Sequence, residues 1–101
     1  MAVKLYISQP MRGKAMSNIM AERKQLVAEA AVELRTDDIL VLDTLFINHD
    51  RPKLAMLGRS IEKMAEADAV IFAPDWKQAA GCRVEHLAAS EYEMRILYGK
   101  G

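Results

Sequence analysis

Short apolar runs alternate with longer stretches of helical periodicity along this chain. Residues 3–8 (VKLYIS) form an apolar run that stops in turn residues, which predicts a strand. The period of two puts Leu5 and Ile7 on one face and Tyr6 and Ser8 on the other. Residues 9–14 (QPMRGK) read as a loop. Residues 17–35 read as a long amphipathic helix: Met16, Ile19, Met20, Leu26, Val27, Ala30, Ala31 and Leu34 are expected toward the core, with Glu22, Arg23, Lys24 and Glu29 on the wet side. The polar stretch Thr36-Asp37-Asp38 breaks that pattern, and residues 39–42 predict a second strand that ends at Asp43-Thr44.

After an irregular stretch over 45–51, Asp50-Arg51-Pro52 gives a helix-start signal. Leu54, Leu57, Ile61, Met64 and Ala65 mark the second helix. Asp68 leads into a third strand over 69–73, and residues 74–80 form the next loop. A third helix is predicted from Gly81 to about Tyr92, with Val84, Leu87, Ala88 and Tyr92 as its expected packing face. Residues 96–98 suggest a short fourth strand.

The order β-α-β-α-β-α-β implies parallel strands joined by right-handed crossovers. The expected architecture is one three-layer, doubly wound α/β domain over residues 1–101, with about four strands in the order 2-1-3-4. In such a sheet, ligands bind beyond the strand C-termini where the order reverses. The loops 9–14 and 74–80 and the start of the Gly81 helix arrive at that edge.

Composition narrows the function classes. A chain of 101 residues with 14 basic and 14 acidic side chains has no net charge. It also lacks a Lys/Arg block, which argues against general nucleic-acid binding. No apolar run approaches a membrane span, and residues 3–8 are too short for a signal peptide. Cys82, the single cysteine, excludes an internal disulfide and fits a cytoplasmic setting. A small core with Met- and Ala-rich helix faces leads us to expect a homodimer or larger homo-oligomer.

Two segments carry the candidate chemistry. Arg12-Gly13 follows a strand and precedes a helix. Backbone N–H groups there can cradle an oxyanion while Arg12 adds a bidentate cation, although a plain surface turn would read the same way. Its glycine spacing fits neither a dinucleotide fingerprint nor a P-loop. Glu85 lies near a helix N-terminus, where the dipole is expected to favour the ionised form. A carboxylate beside a sugar can attack an anomeric carbon, but a first-turn Glu can also serve the helix alone. Asp75 could donate a proton and Trp76 could stack on a base, or Trp76 could simply cover the sheet edge. His86 diverges from Glu85 by about 100° around the helix and reads as a rim or packing residue. Asp43, His49, Asp50 and His86 have no recognised ligand spacing, so neither a metal nor a cofactor is expected.

Tyr6 followed by Arg12-Gly13 resembles the opening of the nucleoside 2-deoxyribosyltransferases and their relatives, the deoxynucleoside 5′-monophosphate N-glycosidases. Asp68 before the third strand and Glu85 early in the following helix also match. Over residues 5–14, 68–76 and 81–86 the chain is most similar to a small phage and bacterial branch of that superfamily. The resemblance implies a flavodoxin-like fold and a small-molecule nucleoside or nucleotide ligand. It implies a Glu85 nucleophile that displaces the base from C1′, with Tyr6 orienting Glu85 or the sugar. Ser8, Arg12 and Gly13 would then hold the 5′ end. Asp43, Asp68, Trp76, Gly81 and Arg83 complete the expected substrate-binding set, and Asp75 the catalytic one. The chain departs from the characterised enzymes in having Arg83 and Leu87 where they carry glycines around the nucleophile. It has Ser60 near the position where a substrate-positioning Asp is expected, and Pro10 where the N-glycosidase loop has Ser.

Overall fold

The computed structural model describes residues 1–42 and 52–100. Four strands are formed: β1 (Val3–Ser8), β2 (Ile39–Val41), β3 (Ala69–Phe72) and β4 (Arg95–Tyr98). Three helices join them: α1 (Met16–Leu34), α2 (Lys53–Met64) and α3 (Ala80–Glu91). A 3-10 turn at Trp76–Gln78, within the stretch read as plain loop, precedes α3. The observed bounds lie within two residues of those the sequence predicts.

All pairings are parallel, and the sheet order is β2-β1-β3-β4. Leu5 pairs with Val41 on one side and Ala69 on the other, and Phe72 pairs with both Ser8 and Tyr98. This register brings the C-terminal ends of the two central strands to one edge. The four residues of β3, Ala69-Val70-Ile71-Phe72, are all buried, as a central parallel strand covered on both faces requires.

Strand alternation divides the core in two. Leu5, Ile7, Ala69, Ile71 and Leu97 pack with Leu26 and Ala30 of α1. Tyr6, Val70 and Phe72 pack with Leu42, Met64 of α2 and Ala89 of α3. One helix thus covers one face and two cover the other, giving three layers, as the crossover rule dictates for this order. Full burial of a side chain such as Leu26 or Ile71 contributes about 1.5–3 kcal/mol. The α1 helix ends where Arg35 turns left-handed (φ 56°) and its N–H reaches the carbonyls of Ala31 and Val32.

The helix faces correct the hydrophobicity reading in two places. On α1, Met16 and Met20 are exposed, whereas Arg23 is buried together with Ile19, Leu26 and Ala30. On α3, Val84, Leu87 and Tyr92 are exposed, and the inward stripe is Cys82-Glu85-Ala89. On α3 hydrophobicity therefore selects the wrong stripe, whereas on α1 Ile19, Leu26 and Ala30 are buried and Val27 and Leu34 pack on the core as expected, and the reading fails only at Met16, Met20 and Arg23. On α2, Leu54 is likewise exposed.

Candidate functional site

The strand C-termini meet the start of α3 around one buried carboxylate. Ser8 ends β1, and Tyr6 lies two residues earlier on the same face. Both point toward the layer of α2 and α3. Glu85, one turn after Cys82, faces them from α3. Tyr6 Oη donates to Glu85 Oε2 at 2.6 Å, and Ser8 Oγ donates to Oε1 at 2.7 Å. All three residues are buried. Ser60 of α2 is also buried, and its hydrogen bond to the Tyr6 phenol works against the upward push that burial gives that phenol.

The electrostatics oppose the simple dipole expectation. Burial holds the Glu85 carboxyl above the ordinary glutamate range, and the hydrogen bonds from Tyr6 and Ser8 pull it only part of the way back. Burial and the adjacent Glu85 charge together push the Tyr6 phenol far up, so it remains a donor. Burial also pushes the Cys82 thiol up to about 11, despite a hydrogen bond with Ser8. Cys82 is therefore a protonated neighbour, which argues against a thiolate nucleophile.

A second polar cluster lies beside the first. Gln9, next in chain to Ser8 and buried, donates through Nε2 to Glu22 Oε1 at 2.7 Å and accepts at Oε1 from Arg23 at 3.1 Å. Lys14 donates to Asp75 Oδ2 at 2.8 Å and lies 3.6 Å from Glu22 Oε1. The hydrogen bond to Asp75 is the main reason the Lys14 ammonium is held above its usual range. Asp75 Oδ1 is buried without a hydrogen-bond partner. The β1–α1 loop, α1 and the β3–α3 loop are thus tied together by one chain of polar side chains.

The β1–α1 loop itself makes a tight turn at Gly13. Gly13 sits at φ 79°, where an L side chain is strained, and the Lys14 N–H closes a turn onto the Met11 carbonyl. Ala15, the residue before α1, supplies no side-chain cap. Arg12 is exposed.

Aromatic residues wall the far side. Trp76 stacks on His86 with centroids 4.0 Å apart and an interplanar angle of 16°. His86 in turn meets Phe72 edge-on and pairs Nε2 with the Tyr98 hydroxyl at 2.7 Å. The Lys77 ammonium stands 5.6 Å over the Trp76 ring. His86 thus already occupies one face of the Trp76 ring. Arg83 donates to the Lys77 carbonyl at 2.6 Å and so ties α3 to the 3-10 turn.

The expected residues therefore fall into separate groups. Tyr6, Ser8 and Glu85 are in direct contact; Asp75, through Lys14, is tied to the loop that holds Arg12 and Gly13. Gly81 is in the first turn of α3, where a Cβ would meet Leu57 at 3.9 Å. That places it against α2. Asp68 is at the opposite edge of the sheet, where its Oδ2 accepts the Lys4 backbone N–H at 2.9 Å. An open groove of about 820 Å³ lies at that same far edge, lined by Met64, Asp68, Tyr92, Met94 and Arg95 among others. Asp43, His49 and Asp50 lie outside the described residues, as does most of the expected second-helix start signal. Among the described residues, no three His, Cys, Asp or Glu side chains come together as metal ligands. Nor is any helix long and apolar enough to cross a membrane.

Sequence reasoning left Gln9, Lys14, Glu22, Arg23 and Ser60 out of the site. Arg23 had a signal: 19, 23, 26 and 30 are spaced as one helical stripe, so its polarity on that stripe marks a buried interaction.

Fold and site together define a small parallel α/β domain with a buried Tyr–Glu–Ser cluster at the switch point of the sheet. Residues 3–98 match the model of a family described as a domain of unknown function, DUF4406, and the chain belongs to that family. No curated protein and no solved structure gives a significant match to it.

Proposed function

We propose that this protein cleaves or transfers the N-glycosidic bond of a (deoxy)nucleoside or nucleoside 5′-monophosphate, with Glu85 as nucleophile. One observation carries the reading. A buried carboxylate is held at both oxygens by hydroxyl donors, Tyr6 and Ser8, at the edge where doubly wound sheets bind ligands. A Glu oxygen would attack C1′ as the C1′–N bond breaks, with the bonding electrons leaving on the base nitrogen. Water or a second base would then displace Glu85 from C1′, in the two-step manner of retaining glycosyl transfer. The Tyr6 and Ser8 donors favour the ionised nucleophile against the cost of burial. The resemblance of Tyr6, Arg12-Gly13 and Glu85 to the nucleoside 2-deoxyribosyltransferase-like enzymes supports the same reading. A cytoplasmic setting fits the lone free thiol of Cys82. Exposed Leu54 on α2, Val84 and Leu87 on α3 and Tyr92 just beyond it are the apolar surface that a second copy would cover in a homodimer.

Ser60 favours a second reading, a nucleotide-binding module without turnover. It stands where the resemblance expects a substrate-positioning Asp, and its hydroxyl is engaged with Tyr6. Incubating the protein with a panel of nucleosides and monophosphates and assaying free base separates the two. Base release supports the enzyme, and tight binding without base release supports the module.

A further inference from the structure

We propose that Ser60 and Cys82 are positioning residues of the Glu85 site: Ser60 fixes the direction of the Tyr6 hydroxyl and Cys82 that of the Ser8 hydroxyl, so that both protons point at the carboxylate. The role of Glu85 as nucleophile is that of the reading above, on which this rests, but the hydrogen-bond order itself can be measured without turnover.

Tyr6 and Ser8 each have a single hydroxyl proton. Both protons are spent on Glu85, at 2.6 Å to Oε2 and 2.7 Å to Oε1. Toward any other neighbour the two hydroxyls can therefore only accept. The helices bring a donor to each. Ser60 and Met64 are the buried residues of α2, one turn apart on one stripe, and Met64 packs with Tyr6 in the same core layer. The Ser60 hydrogen bond is of the kind that favours the ionised phenol, which makes Ser60 the donor. Cys82 and Glu85 share the inward stripe of α3, so the thiol lies on the carboxylate's side of the helix and meets Ser8. Burial pushes that thiol up to about 11, so it keeps a proton to give. Tyr6, Ser8, Ser60, Cys82 and Glu85 are all buried, and a hydroxyl that loses its partner there has no ready substitute in solvent.

Two short relays thus converge on one carboxylate: Ser60 to Tyr6 to Oε2, and Cys82 to Ser8 to Oε1. A hydroxyl that accepts one hydrogen bond donates the next more strongly. The arms are unequal, because S–H is a weaker donor than O–H. The other titratable groups near Glu85 are accounted for. Asp75 and Lys14, from the two loops, act on Cys82. His86 is turned to Trp76 and Tyr98, and Arg23 of α1 is engaged with Gln9. From α2 the buried polar group is the neutral Ser60.

A carbon-13 NMR titration of the Glu85 side-chain carboxyl in the full chain tests the relays, with the signal identified by its loss in Glu85→Gln. Removing a donor from either relay weakens the hold on the ionised form, so Ser60→Ala and Cys82→Ala should each move the Glu85 midpoint to higher pH. Cys82→Ser supplies a stronger donor and should move it to lower pH, an opposite pair that packing alone would not produce. Ser60→Ala should have no further effect in a Tyr6→Phe background, because its relay runs through the phenol. A merely structural Ser60 would shift both backgrounds alike. An unmoved midpoint in either Ser60→Ala or Cys82→Ala overturns the proposal. So does a shift in the same direction for Cys82→Ser and Cys82→Ala, or a Ser60→Ala shift that persists in Tyr6→Phe. If Ser60→Ala does not fold, Ser60→Cys keeps a weaker donor and should give a smaller shift in the same direction. The expected shifts in a protein that releases no base from any substrate would sink only the glycosidic reading. Base release with an unmoved midpoint would sink only this one.

Discussion

Tyr6 and Glu85, 79 residues apart in sequence, are joined by a 2.6 Å hydrogen bond in the buried layer between β1 and α3. The phenol donates and the carboxylate accepts, so the contact stabilises the charge that burial penalises. Tyr6→Phe strands Glu85 Oε2 in an apolar layer. We expect it to cost about 1.5–3 kcal/mol, the usual worth of a hydrogen bond to a charged group. The same change made in a Glu85→Gln background should cost clearly less, and a double-mutant cycle by urea unfolding measures the difference. Equal costs in both backgrounds would mean that the pair is not coupled.

The same hydrogen bond controls ionisation. Tyr6 lowers the Glu85 pKa, so Tyr6→Phe must raise it further. If catalysis needs ionised Glu85, the acid limb of the pH–rate profile moves to higher pH in Tyr6→Phe. An unmoved limb would separate the limb from Glu85.

Stability should carry a matching signature. Glu85 is raised in the folded state above the ordinary value of 4.5, so the folded chain binds that proton more tightly than the unfolded chain does. Its contribution is fully present below that value and is lost as pH rises through the folded pKa. Glu85→Gln, which has no such proton, should therefore gain on the wild type as pH rises from mildly acidic to neutral. Thermal unfolding of both proteins across that window reads the difference directly. A constant difference would show that Glu85 titrates alike in both states.

Gly99 tests the packing behind the site. It follows β4, its N–H donates to the Phe72 carbonyl at 2.8 Å, and a Cβ there would collide with the Leu26 side chain while lying 3.1 Å from Pro74 Cδ. Leu26 is one of the most buried side chains of the core and cannot move freely. Gly99→Ala should destabilise by about 1–3 kcal/mol through overpacking, measured as a fall in the urea midpoint at unchanged slope. No loss would mean that Leu26 repacks without cost.

Much of this arrangement was legible in the residues, and the failures have one physical cause. The apolar runs ending in turn residues located β1 and β3, and alternation put Tyr6 and Ser8 on one face. The β-α order then brought their ends to the start of α3. The helix faces were misread where the interior is polar. On α3 the apolar Val84, Leu87 and Tyr92 outweighed Cys82, Glu85 and Ala89, yet Glu85 is buried because Tyr6 and Ser8 await it. On α1, Arg23 reads as a solvent residue because its partner Gln9 lies in another element. The motif puts Asp68 with the ligand, whereas its position before β3 puts it at the opposite end of a parallel strand. A pairing between distant segments leaves no periodic trace, so the Lys14–Asp75 bridge was likewise invisible until the loops were seen side by side.

The central claim is that the carboxylate held by Tyr6 and Ser8 attacks a glycosidic carbon. Free-base release from a panel of nucleosides and 5′-monophosphates, compared between the wild type and Glu85→Gln, tests it most directly. The substitution keeps size and hydrogen bonding but removes the charge. The account predicts base release by the wild type on at least one substrate and a loss of several orders of magnitude in Glu85→Gln, which still binds the ligand. Base released equally fast by both proteins, or by neither, would contradict it.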